Sequence, residues 1–311
     1  MSIEFISAGL QTSLQDEGWV GLMHQGISQS GAMDAISMYQ ANWLVSKPLN
    51  SAVLEITLMG PTLKFHQNLT LAVCGARFEL FLNDQQISMD ETLKVNEGDI
   101  LRFGQLKQGA RAYMSFSAEL ELEPVFNRFS THLTAGFGGF KGRSLQKNDR
   151  LKVKQVFEPA RKKLAKEMIP AFSGHYLLRT VPAVETKQFT PGQLHDFYSQ
   201  HFQVSTQSNR MGIRLQGGFF DKIHENRDNN SMISSGLLPG SIQIPPSGTP
   251  IISAVDGQTI GGYPRIAQVI AADVPLLGQL KAQDKVSFCQ IDRAHAVNLL
   301  KQKKKLIGDL Q

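Results

Sequence analysis

Short runs of alternating apolar and polar residues, separated by turn-forming residues, recur along the chain. In the first half, the runs at 69–76, 77–82 and 111–120 have the two-residue period of β-strands. Residues 94–103 place the turn sequence Glu97-Gly98-Asp99 between two apolar ends, which predicts two strands joined by a turn. Further strands are expected at 201–207, 212–216, 241–244, 250–255 and 285–291. We therefore predict a mainly β protein, barrel-like or sandwich-like, with a few short peripheral helices.

Three segments have helical signals instead. The spacing of apolar residues predicts a helix over 33–46, which Lys47-Pro48 would end. The residues expected on its apolar face are Ile36, Tyr39 and Trp43. A capping box from Thr190 to Gln193, with proline at the first helical position, predicts a second helix. Residues 293–306 are predicted to form a surface helix that ends in a run of lysines.

A charged segment at 157–170 divides the chain into two halves. Pro159 suits the first turn of a short helix, and Pro170 would end it. We therefore predict an N-terminal β-rich half at 1–156, a linker helix at 157–170 and a C-terminal β-barrel half at 171–311. A length of 311 residues fits two domains, but it also fits the alternative that both halves form one continuous domain.

Composition and charge narrow the choice of partners. The 32 Lys and Arg exceed the 27 Asp and Glu by five, and four of these five charges are Lys301 and Lys303 to Lys305. Such a local run is not the broad basic face of a nucleic-acid-binding protein, so no nucleic-acid partner is expected. The start of the chain lacks the pattern of a secretory signal, and four prolines interrupt the long uncharged run at 231–255. The expected protein is cytoplasmic, without a membrane segment, and its two cysteines are expected to be reduced and buried.

Several motifs of catalysis are missing from the sequence. It contains no Gly-x4-Gly-Lys-Ser/Thr phosphate loop, no Gly-x-Ser-x-Gly nucleophile elbow and no Ala-Met-Lys-Met-type biotinylation sequence. Its eight histidines and two cysteines match no metal-site spacing, so no metal is expected. If the chain takes part in chemistry with ATP or biotin, a partner chain has to supply much of the machinery.

Three clusters combine polar side chains with glycine turns, where backbone and short side chains can face a ligand. The first contains Gln15, Asp16, Ser30 and Asp34, with Asn42 on the helix that follows. Ser30 or Asp34 could equally cap that helix.

The second cluster contains Arg210 and Arg214, whose guanidinium groups suit a carboxylate or phosphate. The alternative is that each arginine pairs with a structural acid. The third cluster runs from Asp256 to Pro264, where Asp256 and Gln258 can together bind an amide, one accepting its N–H and the other donating to its C=O. A plain turn is the alternative for this segment.

These clusters belong to an ordered set of motifs that spans nearly the whole chain. The set is Gln15-Asp16-x-Gly18, Ser30-Gly31-Ala32-Met33-Asp34, Ala41-Asn42, Leu54-Glu55, Gly60-Pro61, Cys74-Gly75-Ala76, Ser208-x-Arg210-Met211-Gly212-x-Arg214-Leu215, Gln243-x-Pro245 and Gln258-Thr259-x-Gly261-Gly262-Tyr263-Pro264. Together the motifs resemble the family of the 5-oxoprolinase C subunits. This family is also described as allophanate hydrolase subunit 2, as the Kip-antagonist type and as the biotin-dependent carboxyltransferase family.

The resemblance implies a cyclophilin-like β-barrel fold and an enzyme that works only in a complex. The A and B subunits of 5-oxoprolinase (B being Kip-inhibitor-like) would be its partners, and the complex would hydrolyse 5-oxo-L-proline to L-glutamate with ATP as co-substrate. The alternative is carboxyl transfer to urea or a similar amide from carboxybiotin, with the biotin carried by another chain. Both reactions act on a small amide.

Site roles follow from the clusters and the resemblance together. Asp256, Gln258 and Arg210 are the expected catalytic residues. The expected substrate-binding residues are Arg214, Thr259, Gly261, Gly262, Tyr263, Gln15, Asp34 and Asn42.

The sequence also departs from the family pattern. Trp19 and Gly257 stand where arginines are expected, and the segment 111–120 lacks the usual Gly-Gly-Ile. These departures support a further alternative, a non-catalytic regulator that binds a Kip-inhibitor-like partner.

Overall fold

The computed structural model describes residues 2–217 and 232–308, so residue 1 of the predicted N-terminal half and residues 218–231 and 309–311 of the predicted C-terminal half lie outside it. The described chain forms two units. We call residues 2–20 and 30–172 the sheet unit, and residues 21–29, 173–217 and 232–308 the barrel unit. Strands dominate both units, which confirms the mainly β prediction.

The sheet unit is built on a ten-stranded antiparallel sheet in the order β2-β3-β8-β4-β1-β12-β9, with β5 pairing β6, β7 and β8, beside a separate β10–β11 pair. Its elements are β1 Ser2–Ser7, β2 Gln11–Gln15, α1 Ala35–Leu44, β3 Val53–Thr57, β4 Thr62–Phe65, β5 Leu69–Leu82, β6 Gln85–Ile87, β7 Leu93–Val95, β8 Ile100–Phe116, β9 Ala118–Leu120, β10 Thr131–His132, β11 Phe137–Gly138 and β12 Arg150–Val156. Apolar side chains from most of these strands form one core.

Two long strands, β5 and β8, run through this sheet. The sequence predicted separate strands at 69–76 and 77–82, but the structure has one strand with a register shift between Gly75 and Arg77. Gly75 has φ +97°, and a Cβ there would lie 2.7 Å from the carbonyl oxygen of Arg111. Glycine therefore lets β5 bend without leaving β8. The turn predicted at 97–99 is confirmed between β7 and β8.

The predicted helix at 33–46 is confirmed as α1, although its buried face differs from the prediction. Asp34 caps the helix, accepting hydrogen bonds from the backbone N–H groups of Ile36 and Ser37. Met38, Ala41 and Leu44 are fully buried against β5 and β8, whereas Ile36 is half-buried. Because both faces of α1 are covered, apolar spacing alone did not identify the inward side.

The linker helix predicted at 157–170 is wrong. The segment is extended, with one 3₁₀ turn at Lys166–Met168. Its backbone bonds to the loop after β6, through Thr92 N to Lys162 O and Leu164 N to Asp90 O, both 2.9 Å. Leu164 is buried in the core around α1. The segment is therefore part of the sheet unit, because these contacts outweigh its weak helical signal.

The barrel unit contains a closed seven-stranded barrel in the order β13-β20-β17-β18-β15-β14-β21, with a separate β16–β19 pair. Its elements are β13 His175–Pro182, α2 Pro191–Ser199, β14 Phe202–Val204, β15 Gly212–Gln216, β16 Ser235–Gly236, β17 Ser241–Gln243, β18 Ile251–Ser253, β19 Ile260–Gly261, β20 Arg265–Val269, β21 Lys285–Gln290 and α3 Arg293–Gly308. The capping box of α2 and the surface helix α3 are confirmed. None of the helices in the described ranges is long and apolar enough to cross a membrane.

The two cysteines differ in environment. Cys74 is buried, as predicted, whereas Cys289 is exposed, so the prediction of two buried thiols is wrong for Cys289. Val286 and Phe288 point into the barrel, and alternation along β21 places Cys289 on the outer face.

Gly31 and Gly26 have nearly the same backbone φ angle, and together they test whether the chain packs closely around Gly31. Gly31 (φ +82°) would place a Cβ 2.8 Å from the backbone of residues 17 and 18, whereas a Cβ at Gly26 (φ +81°) would have no atom of the described residues within 4 Å. We expect Gly26→Ala to lower the free energy of unfolding by about 1–2 kcal/mol, the cost of a left-handed alanine. Gly31→Ala should cost a further 1–3 kcal/mol or so from overpacking. Equal midpoints in urea unfolding would contradict the close approach at Gly31.

Candidate active site

A buried ion pair joins two loops at one end of the barrel. Arg210 precedes β15 and Asp256 follows β18, and these strands are antiparallel neighbours. Arg210 Nε donates to Asp256 Oδ2 at 2.8 Å, and a terminal guanidinium nitrogen donates to Oδ1 at 2.9 Å. The two residues are 4% and 2% exposed. Backbone bonds from Asp256 N to Arg210 O (2.9 Å) and from Ala254 N to Met211 O (3.0 Å) complete the connection between the loops.

This pairing bears on the roles expected for both residues. The guanidinium of Arg210 and the carboxylate of Asp256 are directed at each other. Arg210 therefore pairs with an acid of the protein, which is the alternative that the sequence left open. The pair holds the Asp256 loop against the start of β15. A direct catalytic contact by either residue stays a prediction.

Two other predicted site residues remain available to a ligand. Arg214 lies on β15 with an exposed side chain, and Gln258 is exposed two residues after Asp256. Within the described part of the chain, neither side chain forms a hydrogen bond or an ion pair. Arg214 is therefore better placed than Arg210 to meet a carboxylate from solution.

The segment after Gln258 packs closely against Gln243 and Leu237. A Cβ at Gly261, in β19, would lie 2.6 Å from Gln243 Nε2, and the same amide nitrogen donates to Tyr263 O at 3.5 Å. Thr259 is half-buried, and its carbonyl accepts a hydrogen bond from Leu237 N at 2.8 Å. Gly262 is half-buried, and Tyr263 is 40% exposed. The segment thus presents Gln258 and Tyr263 on a fixed backbone.

Glu185 and Arg265 support this segment, and neither was predicted from the sequence. Arg265 follows Tyr263-Pro264 and forms a bidentate ion pair with Glu185, with both donor–acceptor distances 2.6 Å. Arg265 also donates to Gly236 O at 2.6 Å, which holds β16 beside β19. The hydrogen bonds from Arg265 lower the pKa of Glu185 below its usual value.

In the sheet unit, Gln15 and Asp16 hold the chain around β10. Gln15 is fully buried and its side-chain amide donates to Thr131 O and Ser13 Oγ, both 3.0 Å. Among the described residues, Gln15 Oε1 has no hydrogen-bond partner. The Asp16 carboxylate accepts from Gly18 N, Phe129 N and Ser130 Oγ.

Asn42 and Asp34 are also engaged inside the sheet unit. Both N–H groups of the Asn42 amide donate to backbone carbonyls, of Leu49 and Ser51 at 2.8 Å, and its Oδ1 accepts from Ser115 Oγ at 2.6 Å. Asp34 is 4% exposed and caps α1, which is the alternative left open by the sequence. Their substrate-binding roles stay predictions, and the structure gives each of them a structural one.

Glu55 and Tyr113 connect the Asp34 turn to the sheet. Tyr113 Oη donates to Glu55 Oε2 at 2.8 Å and accepts from Asp34 N at 2.8 Å, while Met33 N also donates to Glu55 Oε2 at 2.9 Å. Burial raises the pKa of Tyr113 well above its usual value, which keeps the hydroxyl protonated. The signal in the sequence was a lone glutamate within the apolar run of β3.

Two of the three departures from the family pattern, Trp19 and Gly257, have a packing explanation here. Trp19 is 1% exposed, donates from Nε1 to Val125 O at 2.8 Å and packs on Phe137 with ring centroids 4.8 Å apart. At Gly257, a Cβ would lie 2.6 Å from Ser253 Oγ and 2.8 Å from Met211 O. An arginine would not fit this backbone at 257.

The sequence of residues 25–290 matches the family described as "Carboxyltransferase domain, subdomain A and B". The chain belongs to this family. It is 34% identical to the 5-oxoprolinase C subunit of Escherichia coli over 295 residues, which cover 95% of this chain and 93% of the relative. It is 32% identical to the 5-oxoprolinase C subunit of Haemophilus influenzae, covering 96% and 94%.

Two larger proteins contain a segment similar to all or nearly all of the chain. Urea amidolyase of Saccharomyces cerevisiae is 28% identical, over 92% of this chain and 16% of the relative. The crystal structure of urea carboxylase from Kluyveromyces lactis superimposes with a TM-score of 0.93 at 28% identity, covering 100% of this chain and 29% of that one.

The buried pair Arg210–Asp256 can be tested by comparing a single with a double substitution. Arg210→Ala should lower the free energy of unfolding by about 3–5 kcal/mol, because it leaves a buried carboxylate without its partner. The double variant Arg210→Met with Asp256→Leu should lose much less. Lys94→Ala is the control, since Lys94 and Glu158 form an exposed pair (side chains 72% and 75% exposed), and it should cost about 0–1 kcal/mol. If Arg210→Ala and the double variant have the same free energy of unfolding, then Arg210 is not needed to neutralise a buried Asp256 carboxylate.

Proposed function

We propose that the chain is the C subunit of an ATP-dependent 5-oxoprolinase, which hydrolyses 5-oxo-L-proline to L-glutamate together with the A and B subunits. The observation that carries this proposal is the match to two bacterial 5-oxoprolinase C subunits over 93% and 94% of their lengths. The match to urea amidolyase extends over 16% of that relative. The chain thus matches most of the length of one class of relative and one segment of the other.

The chemistry of the barrel end supports an amide substrate. The amide of Gln258 can donate to a lactam C=O and accept from its N–H. Arg214 lies opposite Ile251 at the start of β18, whereas Gln258 follows the end of β18, so a contact of the Arg214 guanidinium with the substrate carboxylate stays a prediction. The buried pair of Arg210 and Asp256 would act behind Gln258 as a positioning pair. ATP is the co-substrate that would activate the stable lactam carbonyl, and the A and B subunits would supply groups that this chain lacks.

Carboxyl transfer to urea or a similar amide is the second candidate. The family description and the TM-score of 0.93 to a urea carboxylase favour it. In this reaction another chain would carry the biotin. The exposed amide of Gln258 has the hydrogen-bond donor and acceptor needed to bind the cyclic urea of biotin. A purely regulatory role has less support, because the unusual residues Trp19 and Gly257 are accounted for by local packing.

Reconstitution tests the assignment to a complex. The isolated chain is expected to fold but to show negligible ATP hydrolysis with 5-oxo-L-proline. Addition of the A and B subunits should produce ATP hydrolysis that depends on the substrate, with L-glutamate as product. Glutamate release and ADP formation are measured together. Full turnover by the isolated chain, or no glutamate from the complete set, would contradict the proposal. Carboxylation of urea with a biotin carboxylase partner would favour the second candidate.

Gln258→Ala tests the barrel end within the assembled complex. Loss of a donor aimed at the reacting amide should lower kcat/KM by roughly a hundredfold or more. Assembly, followed by size-exclusion chromatography, should not change, because Gln258 is exposed and unbonded within the described chain. Gln216→Ala, an exposed glutamine on β15 of the same barrel, is the matched control and should keep kcat/KM within about twofold. Equal rates for both variants would remove Gln258 from the site.

A further inference from the structure

The sheet unit contains a pocket that the proposed site does not use. Its volume is about 710 Å³, which lies within the range of small-molecule sites. The turn after α1 (residues 46–52) lines one side, and residues of β9 and of the 127–129 loop line the others. Apart from Asp16, none of the residues assigned a role above borders this pocket.

Lys47 is a half-buried cation on the pocket wall. Its Nζ donates to the Ala118 carbonyl at 3.3 Å, and it forms no ion pair with any residue that the structure describes. Burial lowers the pKa of Lys47 to about 8, although the charge of Glu119 partly opposes the shift. A cation withdrawn from water without a counter-ion is costly, so an anion in the pocket would stabilise it.

The other charged groups that line the pocket are either paired within the protein or exposed to water. The Asp16 carboxylate already accepts hydrogen bonds from the chain around it. A guanidinium nitrogen of Arg128 lies 3.5 Å from Glu17 Oε2. Lys154 and Glu119 are exposed and of opposite sign. Lys47 is thus a half-buried cation that feels the charge of Glu119 but forms no ion pair among the described residues, so its ammonium group can bind one carboxylate from a ligand.

The rest of the lining includes apolar side chains, namely Leu120, Leu122, Phe129 and Phe157. We propose that the pocket binds an organic monocarboxylate, with the carboxylate on Lys47 Nζ and the apolar body against these side chains. The geometry supplies both halves of such a site, a half-buried ammonium group and an apolar surface. This binding is independent of the function proposed for the barrel unit.

The test is calorimetric titration of the full chain at pH 7 with two carboxylate probes, benzoate and 5-oxo-L-proline. At least one probe should bind, whereas benzamide, which lacks the charge, should not. Lys47→Gln should weaken binding at least tenfold. Lys154→Gln, which removes an exposed lysine of the same pocket, should change the affinity less than threefold.

Raising the pH provides a second readout that a merely structural lysine would not affect. The amine is charged below its pKa of about 8 and neutral above it, so binding to the wild-type chain should fall more than tenfold between pH 7 and pH 9.5. Lys47→Arg keeps its charge at pH 9.5 and should retain binding there. This comparison decides the question if Lys47→Gln fails to fold.

Three results would overturn the proposal. The first is that neither carboxylate binds the wild-type chain at pH 7. The second is that Lys47→Gln and Lys154→Gln weaken binding equally, which would indicate general surface attraction. The third is that wild type and Lys47→Arg respond to pH in the same way. Because the assay uses this chain without its proposed partners, it is independent of whether 5-oxoproline hydrolysis is observed.

Discussion

A charge removed from water must be paired within the protein, and this constraint organises both units. In the barrel unit, Arg210 meets Asp256 and Arg265 meets Glu185, in each case between segments that are distant in sequence. In the sheet unit, Arg77 meets Asp90 across the β5 edge. Each pair joins a loop to a strand or to another loop, so the loops that carry polar residues have one defined position.

Pairing of this kind changes which residues are available for chemistry. Residue type alone made Arg210, Asp256, Asp34 and Asn42 suitable for a ligand. In the folded chain, these side chains bond to neighbouring protein groups. These bonds give them a role in holding the backbone, and a direct contact with a ligand stays a prediction. Exposed groups beside them, such as Gln258, remain free to meet a substrate within the described structure.

Lys47 is an exception to this rule of pairing. Its ammonium is half-buried beside a pocket, and its partner is a neutral carbonyl oxygen. The energetic difference between Lys47 and Arg210 is thus the presence of a carboxylate within reach. Lys47 lines a pocket and has no carboxylate partner among the described residues. An anionic ligand in this pocket would therefore supply the missing partner.

Local features of the structure were determined by the sequence alone. The capping box of α2, the turn at 97–99 and the alternation of most strands depend on residues within a few positions of one another, so they can be predicted without the fold. The ordered motifs were likewise sufficient to indicate the family, which the match over residues 25–290 confirms.

The tertiary structure decided the burial and the partner of each polar group. Arg210 and Asp256 are separated by 46 residues, and they meet because β15 and β18 are neighbours in a closed barrel. The same dependence explains the segment 157–170, whose helical signal was overridden by backbone bonds to residues 90 and 92. Residue type specifies which bonds a side chain can form, but strand order and register determine which partner lies within about 3 Å and whether water competes for it.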